Sequence, residues 1–257
     1  MRKTLCKNDR IKSFYKPFTL IEVLVVVAII GILASMLLPT LGNARKKARI
    51  TVCTSQIKQV NLAMVMYTDD NNDYFPTGYS GAIGWEDLLA DYDGRGSLTS
   101  AQKADSPQFK SVYGDDYGQL YRCPLFAYPA TARPLWFPLT YALNSGIDDP
   151  TNLQHRGIAG NSYSKRVMDI ANPDTALQLG EFYRDRYSYL GLGYGRNLVS
   201  LNVLRAALNE GNKQMHGDKQ SYLFIDGHIE KLSYIQTYAP WGVNFTDVTG
   251  SMWDVWK

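Results

Sequence analysis

Apolar and polar positions follow different periods along this chain, and each change of period marks an element. From Phe18 to Leu41 (FTLIEVLVVVAIIGILASMLLPTL) the run is almost wholly apolar. Between Val23 and Leu38 only Gly31 and Ser35 interrupt aliphatic residues and methionine. A helix needs about 20 mostly apolar residues to cross a bilayer core, and this run is just long enough. From Cys53 the pattern becomes amphipathic. Cys53, Ile57, Val60, Met64 and Tyr67 recur at steps of four, three, four and three, which places them on one helix face. Thr54, Lys58, Asn61 and Thr68 fall on the opposite face. Joined together, these patterns predict a helix from Phe18 to about Tyr67, about 50 residues and about 75 Å long. Pro39 cannot donate a backbone hydrogen bond and is expected to bend or interrupt the helix. The run Asp69-Asp70-Asn71-Asn72-Asp73 ends it, because Asp and Asn side chains bond their own backbone in turns.

Residues 77–160 lack a clear period and are rich in Gly, Pro, Ser, Tyr and Asp, which predicts long loops. Within them Trp85–Tyr92 predicts a short helix and Phe137–Ala142 a strand. The last hundred residues are β-like. Thr175–Glu181 follows the turn signal Asn172-Pro173-Asp174. Ser221–Ile225, Asp226-Gly227 and His228–Leu232 predict a hairpin with a type I′ turn, Ile225 facing His228. The first of those strands is apolar on both faces, which places it inside a sheet. Trp241, Trp253 and Trp256 in the tail are expected over the sheet or at an interface. The fold class expected is α+β, a long amino-terminal helix packed on a carboxy-terminal antiparallel sheet with long loops.

Charge changes the picture at one end only. Residues 1–17 carry Arg2, Lys3, Lys7, Arg10, Lys12 and Lys16 against Asp9, a net of +5, so the chain's +3 leaves −2 for the rest. The body therefore has no overall basic signature for nucleic acid, and no nucleic-acid partner is expected. A basic leader before an apolar helix suits an amino terminus on the cytoplasmic side. The segment differs from a secretory signal peptide, because the apolar run is too long and lacks a small-x-small cleavage site after it. Glu22 is a carboxylate at the edge of an apolar helix. A charge there is costly, which marks it as functional and in need of a cationic partner. Of the three cysteines, Cys53 and Cys123 lie in the body. They read either as a disulfide, in an oxidising compartment, or as two buried thiols; spacing does not choose between them.

The stretch Phe18–Pro39 resembles the amino-terminal segment of type IV prepilins and type II secretion pseudopilins. Met66–Pro76 (MYTDDNNDYFP) resembles the junction after the long helix in major pseudopilins. The resemblance implies a pilin-like fold, in which prepilin peptidase cuts between Pro17 and Phe18 and the new amine of Phe18 is methylated. Glu22 would meet a neighbour's amino-terminal amine during assembly, and Pro39 falls where that family often bends its helix. The family usually has glycine at the position Pro17 occupies. The organisation implied is a leader at 1–17, a transmembrane and assembly helix at 18–41, its amphipathic continuation at 42–68 and a periplasmic body at 69–257. The implied partners are prepilin peptidase, sister subunits, an inner-membrane assembly platform and membrane lipid. The implied location is the inner membrane, single-pass, with entry into a filament after processing.

His216, nine intervening residues and Asp226-Gly227 form H-x9-D-G, which resembles the carboxy-terminal motif of a group of prepilin-like proteins and implies no catalytic role. No cofactor is expected. The run Asp69–Asp73 has alternating oxygen ligands, but Tyr74 and Ser80 stand where an EF-hand needs glycine and an acidic residue, so it reads as a turn rather than a calcium site. His216, Asp218, Asp226 and His228 are zinc-type ligands, yet a hairpin turn at 226–227 would hold them apart. The chain lacks G-x-S-x-G, H-E-x-x-H and a phosphate-cradling loop, and no enzymatic activity is expected. Two functions remain: a filament subunit, or a membrane-tethered module whose aromatic residues bind glycans.

Overall fold

The computed structural model describes residues 18–77, 79–80, 83–99, 118–125, 140–146, 157–160, 163–181, 198–200, 216–217, 219–233, 235–237 and 251–255. The chain divides into two compact units between Lys46 and Lys47. Helix α1, Leu20–Asp70, contributes to both, and each unit is described by itself.

In the first unit α1 begins at a capping box. The Thr19 hydroxyl accepts from the Glu22 N–H at 3.3 Å, and Glu22 Oε2 accepts from the Thr19 N–H at 2.8 Å. The pattern Thr-x-x-Glu before an apolar run satisfies amide donors that have no partner within the helix. The helix continues through Pro39, so proline does not interrupt it. Every large apolar side chain from Phe18 to Leu41 is exposed.

In the second unit the stripe of α1 is buried. Cys53, Ile57, Val60, Ala63 and Met64 are each at most 1% exposed, and Tyr67 packs against the same cluster. Thr68, assigned by spacing to the polar face, is also buried, and its hydroxyl donates to the Val65 carbonyl at 2.8 Å. The helix stops at the Asp/Asn run. Asn72 and Asp73 take left-handed backbone (φ 54° and 64°), which Asn and Asp tolerate better than most residues. The Asp73 N–H then closes the end on the Thr68 carbonyl at 2.9 Å.

Short strands β1 (Tyr79–Ser80) and β2 (Ile83–Gly84) pair antiparallel and lead into α2 (Trp85–Leu88), a shorter helix than the pattern over Trp85–Tyr92 predicts. The main sheet contains β3 (Tyr141–Gly146), β4 (Leu177–Glu181), β5 (Leu198–Ser200), β6 (Gln220–Phe224) and β7 (Ile229–Leu232). Its order is β5-β3-β4-β6-β7, antiparallel except where β5 runs parallel to β3. β6 is interior and buried throughout, as its two apolar faces predict. β3 starts at Tyr141 rather than Phe137; residues 137–139 lie outside those described.

Leu143, Leu179 and Leu223 join Ile57, Val60 and Met64 in one core cluster, so alternate residues of the strands face α1. Tyr222 and Gly180 face the other way and meet the tail. The Tyr222 and Trp253 rings lie edge to face at 6.0 Å, and the Leu177 N–H donates to the Met252 carbonyl at 2.8 Å. Trp253 thus covers the sheet as expected; Trp241 and Trp256 lie outside the described residues.

The hairpin differs from the two-residue type I′ turn expected. The Phe224 N–H donates to the His228 carbonyl at 2.9 Å and the Gly227 N–H to the Phe224 carbonyl at 3.0 Å. Phe224, not Ile225, therefore faces His228, and the loop is the three residues Ile225–Gly227. A type I′ turn needs positive φ at two successive residues. Here only Gly227 has it, at 91°. A three-residue loop with glycine in the left-handed position has the same Asp-Gly signature.

Candidate functional site: an exposed apolar helix and a buried sulfur–imidazole–carboxylate cluster

At the start of α1 the Glu22 carboxylate receives two hydrogen bonds on the same atom. Thr19 N and Thr19 Oγ1 both donate to Oε2 at 2.8 Å. The charge sits in the first turn, where the positive end of the helix dipole favours an anion. Thr19 is the residue that the sequence reading missed. Its signal was legible, since Thr-x-x-Glu ahead of an apolar run is a capping signature. Around and beyond this turn an 18-residue apolar window has none of its residues buried within the chain. Pro17 lies outside the described residues, whereas Phe18 is exposed at the head of this segment and Pro39 lies inside α1.

The second site is assembled in the body from four distant parts of the chain. Cys53 of α1 and Cys123 are joined as a disulfide, with Cα atoms 5.2 Å apart and a sequence separation of 70. His216 stands just before β6, and Glu181 closes β4. His216 Nε2 lies 3.2 Å from Cys123 Sγ, and His216 Nδ1 lies 3.0 Å from Glu181 Oε2. Both side chains are buried, at 2% and 0% exposure. Strand pairing explains the position of Glu181. It faces Tyr141 across β3 and β4, on the side of the sheet that meets α1.

The hydrogen bonding of this cluster is incomplete. The Ser221 N–H donates to Glu181 Oε2 at 2.9 Å, whereas Glu181 Oε1 has no partner among the described residues. His216 Nδ1 is within ion-pair distance of Oε2, but the ring is not aligned for a hydrogen bond to it. An unmatched buried polar atom is costly. The Tyr141 hydroxyl lies 3.0 Å from Gln56 Oε1. Burial, and then the nearby Glu181 charge, push that hydroxyl well above its ordinary range. A separate buried carboxylate, Glu86 in α2, is raised to about 8, by burial first and then by Asp87 beside it.

The H-x9-D-G motif divides between two places because β6 lies between its ends. His216 enters the sulfur cluster at one end of the strand, and Asp226-Gly227 forms the loop at the other. Asp226 Oδ1 accepts from the His228 N–H at 3.0 Å and lies 2.6 Å from His228 Nδ1. A Cβ on Gly227 would come 3.0 Å from Asn61 Nδ2 of α1, so both the φ angle and the close approach require glycine. His216 and the Asp226–His228 pair are thus apart, as the hairpin predicts; Asp218 lies outside the described residues.

Comparison with known proteins adds an independent line. The Type IV wide pilus major component PilA4 of Thermus thermophilus is 51% identical over 59 residues, 23% of this chain and 45% of that protein. Type II secretion system core protein G is 44% identical over 57 residues in Pseudomonas aeruginosa, covering 22% of this chain and 40% of that one. In Aeromonas hydrophila it is 45% identical over 64 residues, covering 25% and 44%. These matches fall in the amino-terminal region. The chain spans less than half the length of each of these relatives. No family model and no solved structure matches it.

Proposed function

We propose, from an amino-terminal region that belongs to the type IV pilin and type II secretion pseudopilin family, that this chain is a structural subunit of a pilus or pseudopilus filament. The observation that carries the proposal is the bare apolar surface from Phe18 to Leu41, on a chain whose body buries a core of its own. Covering each Val, Leu or Ile is worth about 1.5–3 kcal/mol, so covering the whole run is worth on the order of tens of kcal/mol. Lipid covers it before assembly, and parallel sister helices cover it afterwards.

In this reading prepilin peptidase cuts between Pro17 and Phe18 in the inner membrane, the Phe18 amine is methylated, and the body faces the periplasm. An assembly platform then stacks the subunit on its sisters. In the dry core of helices Glu22 needs a cation, and the amine of a neighbouring Phe18 supplies one. Breaking such a pair leaves one buried charge unmatched, which costs about 3–5 kcal/mol. Register along the filament follows from that pairing.

Glutamine at position 22 separates the two roles of the carboxylate, because it can serve the capping box but carries no charge. Glu22→Gln should leave membrane insertion unchanged and lower incorporation into sheared filaments by on the order of 100- to 1,000-fold or more. Glu22→Ala should do the same. Incorporation of both variants at wild-type levels would refute the role assigned to the charge.

A further inference from the structure

We propose that, in the dithiol form of the chain, Cys53, Cys123, His216 and Glu181 make a site for a divalent metal ion of the Zn2+ class. One donor atom from each of the four lies within 4.8 Å of every other, a cluster compact enough to close around a single ion. Two thiolates, an imidazole and a carboxylate are the ligand types that Zn2+ takes in tetrahedral sites. Three of the four residues are fully buried, and the His216 side chain is 2% exposed.

The unmatched polar atoms point to a cation. Among the described residues one oxygen of the buried Glu181 carboxylate is unpartnered, and the imidazole Nδ1 approaches the other oxygen at 3.0 Å without the alignment of a hydrogen bond. A bound cation would satisfy both. The surroundings also provide the outer contact that metal ligands need to hold their orientation, because the Ser221 backbone N–H holds Glu181 at 2.9 Å. A disulfide by itself requires neither a histidine nor a carboxylate at its side. The amino-acid types gathered here are therefore explained by the metal and not by the sulfur bond.

The disulfide and the metal exclude one another, since both use the same two sulfurs. A chain is synthesised with free thiols, so the metal form needs no reductant. Each thiol releases a proton to solvent as its sulfur binds the ion. Zn2+ would then hold α1, the Cys123 segment, β4 and the start of β6 together before the sulfur bond exists. This also assigns a role to His216, the half of H-x9-D-G that the hairpin loop does not use.

The test uses the full chain in detergent micelles, in two redox states. The dithiol form is made anaerobically with a phosphine, which takes its oxygen from water to become the phosphine oxide while the disulfide takes up the two electrons and the two protons of that water. Zn2+ is added, excess is removed, and bound metal is counted; Co2+ replaces Zn2+ as a spectroscopic probe of tetrahedral thiolate ligation. The expected result is about one ion per reduced chain and none per oxidised chain. His216→Gln and Glu181→Gln should each weaken binding by at least about tenfold. Because wild type in two redox states already tests the site, failure of a variant to fold would not protect the proposal. Equal uptake by both redox states, no uptake by the reduced chain, or undiminished affinity in both folded variants would overturn it.

Discussion

Reducing the Cys53–Cys123 bond should cost the body a large share of its stability. The bond closes a loop of 70 residues. The loop-closure relation gives about 15 cal/mol/K of lost unfolded-state entropy for that length, about 4 kcal/mol at 25 °C. Both sulfurs lie in the core cluster beside Ile57 and Leu143, so the cross-link ties α1 to the Cys123 segment at a packed position. For a body of this size 1 kcal/mol corresponds to about 2–4 °C in Tm, so reduction should lower Tm by about 8–16 °C. The assay is urea and thermal unfolding of the full chain in micelles, followed by near-UV circular dichroism, oxidised against reduced. EDTA is present throughout to remove any metal contribution, and free thiols are counted to establish reduction. The urea m-value should rise on reduction, because the unfolded chain loses its constraint and exposes more surface. A fully reduced chain with an unchanged midpoint would show that the cross-link does not stabilise the body.

Three further predictions concern other parts of the molecule. Gly227→Ala should destabilise by about 1–2 kcal/mol, since it places a Cβ at φ 91° beside Asn61; a midpoint within error of wild type would show that the hairpin loop adapts. Glu86 has a folded-state pKa of about 8 against 4.5 for the ordinary group, so the folded chain retains a proton that the unfolded chain has lost. That contribution is complete below pH 4.5 and disappears as pH rises through 8, on the order of a few kcal/mol, so Glu86→Gln should flatten stability against pH across this window and an unaltered slope would contradict it. Thr19→Ala removes the cap but not the Glu22 charge; it should cost the first turn of α1 about 1 kcal/mol, read as faster amide exchange there, while filament incorporation persists.

What the sequence made legible was periodic. The stripe from Cys53 to Met64 shows which face of α1 is buried, because a helix repeats at 3.6 residues and Tyr67 falls at its edge. The Asp69–Asp73 run shows where the helix stops, because Asn72 and Asp73 can adopt left-handed backbone. The Asp226-Gly227 signature locates a loop correctly and misjudges its length by one residue, since glycine at positive φ serves both loop types. The buried cluster was not legible. Glu181 approaches His216 only because β4 lies beside β6 in the sheet, and strand order is a property of the whole chain. For the same reason the spacing of Cys53 and Cys123 does not reveal the disulfide, and two buried thiols read as well from it. Thr19 is a different case: its capping pattern is local and was readable from four residues.

Whether this chain is processed and assembled as a filament subunit is read from the amino-terminal residue and mass of the protein recovered from native membranes and from sheared surface filaments. The expected chain begins with N-methylated Phe18 and is present in the sheared fraction. A chain found only in membranes, with residues 1–17 still attached, would contradict this expectation and leave α1 as a permanent anchor for the body.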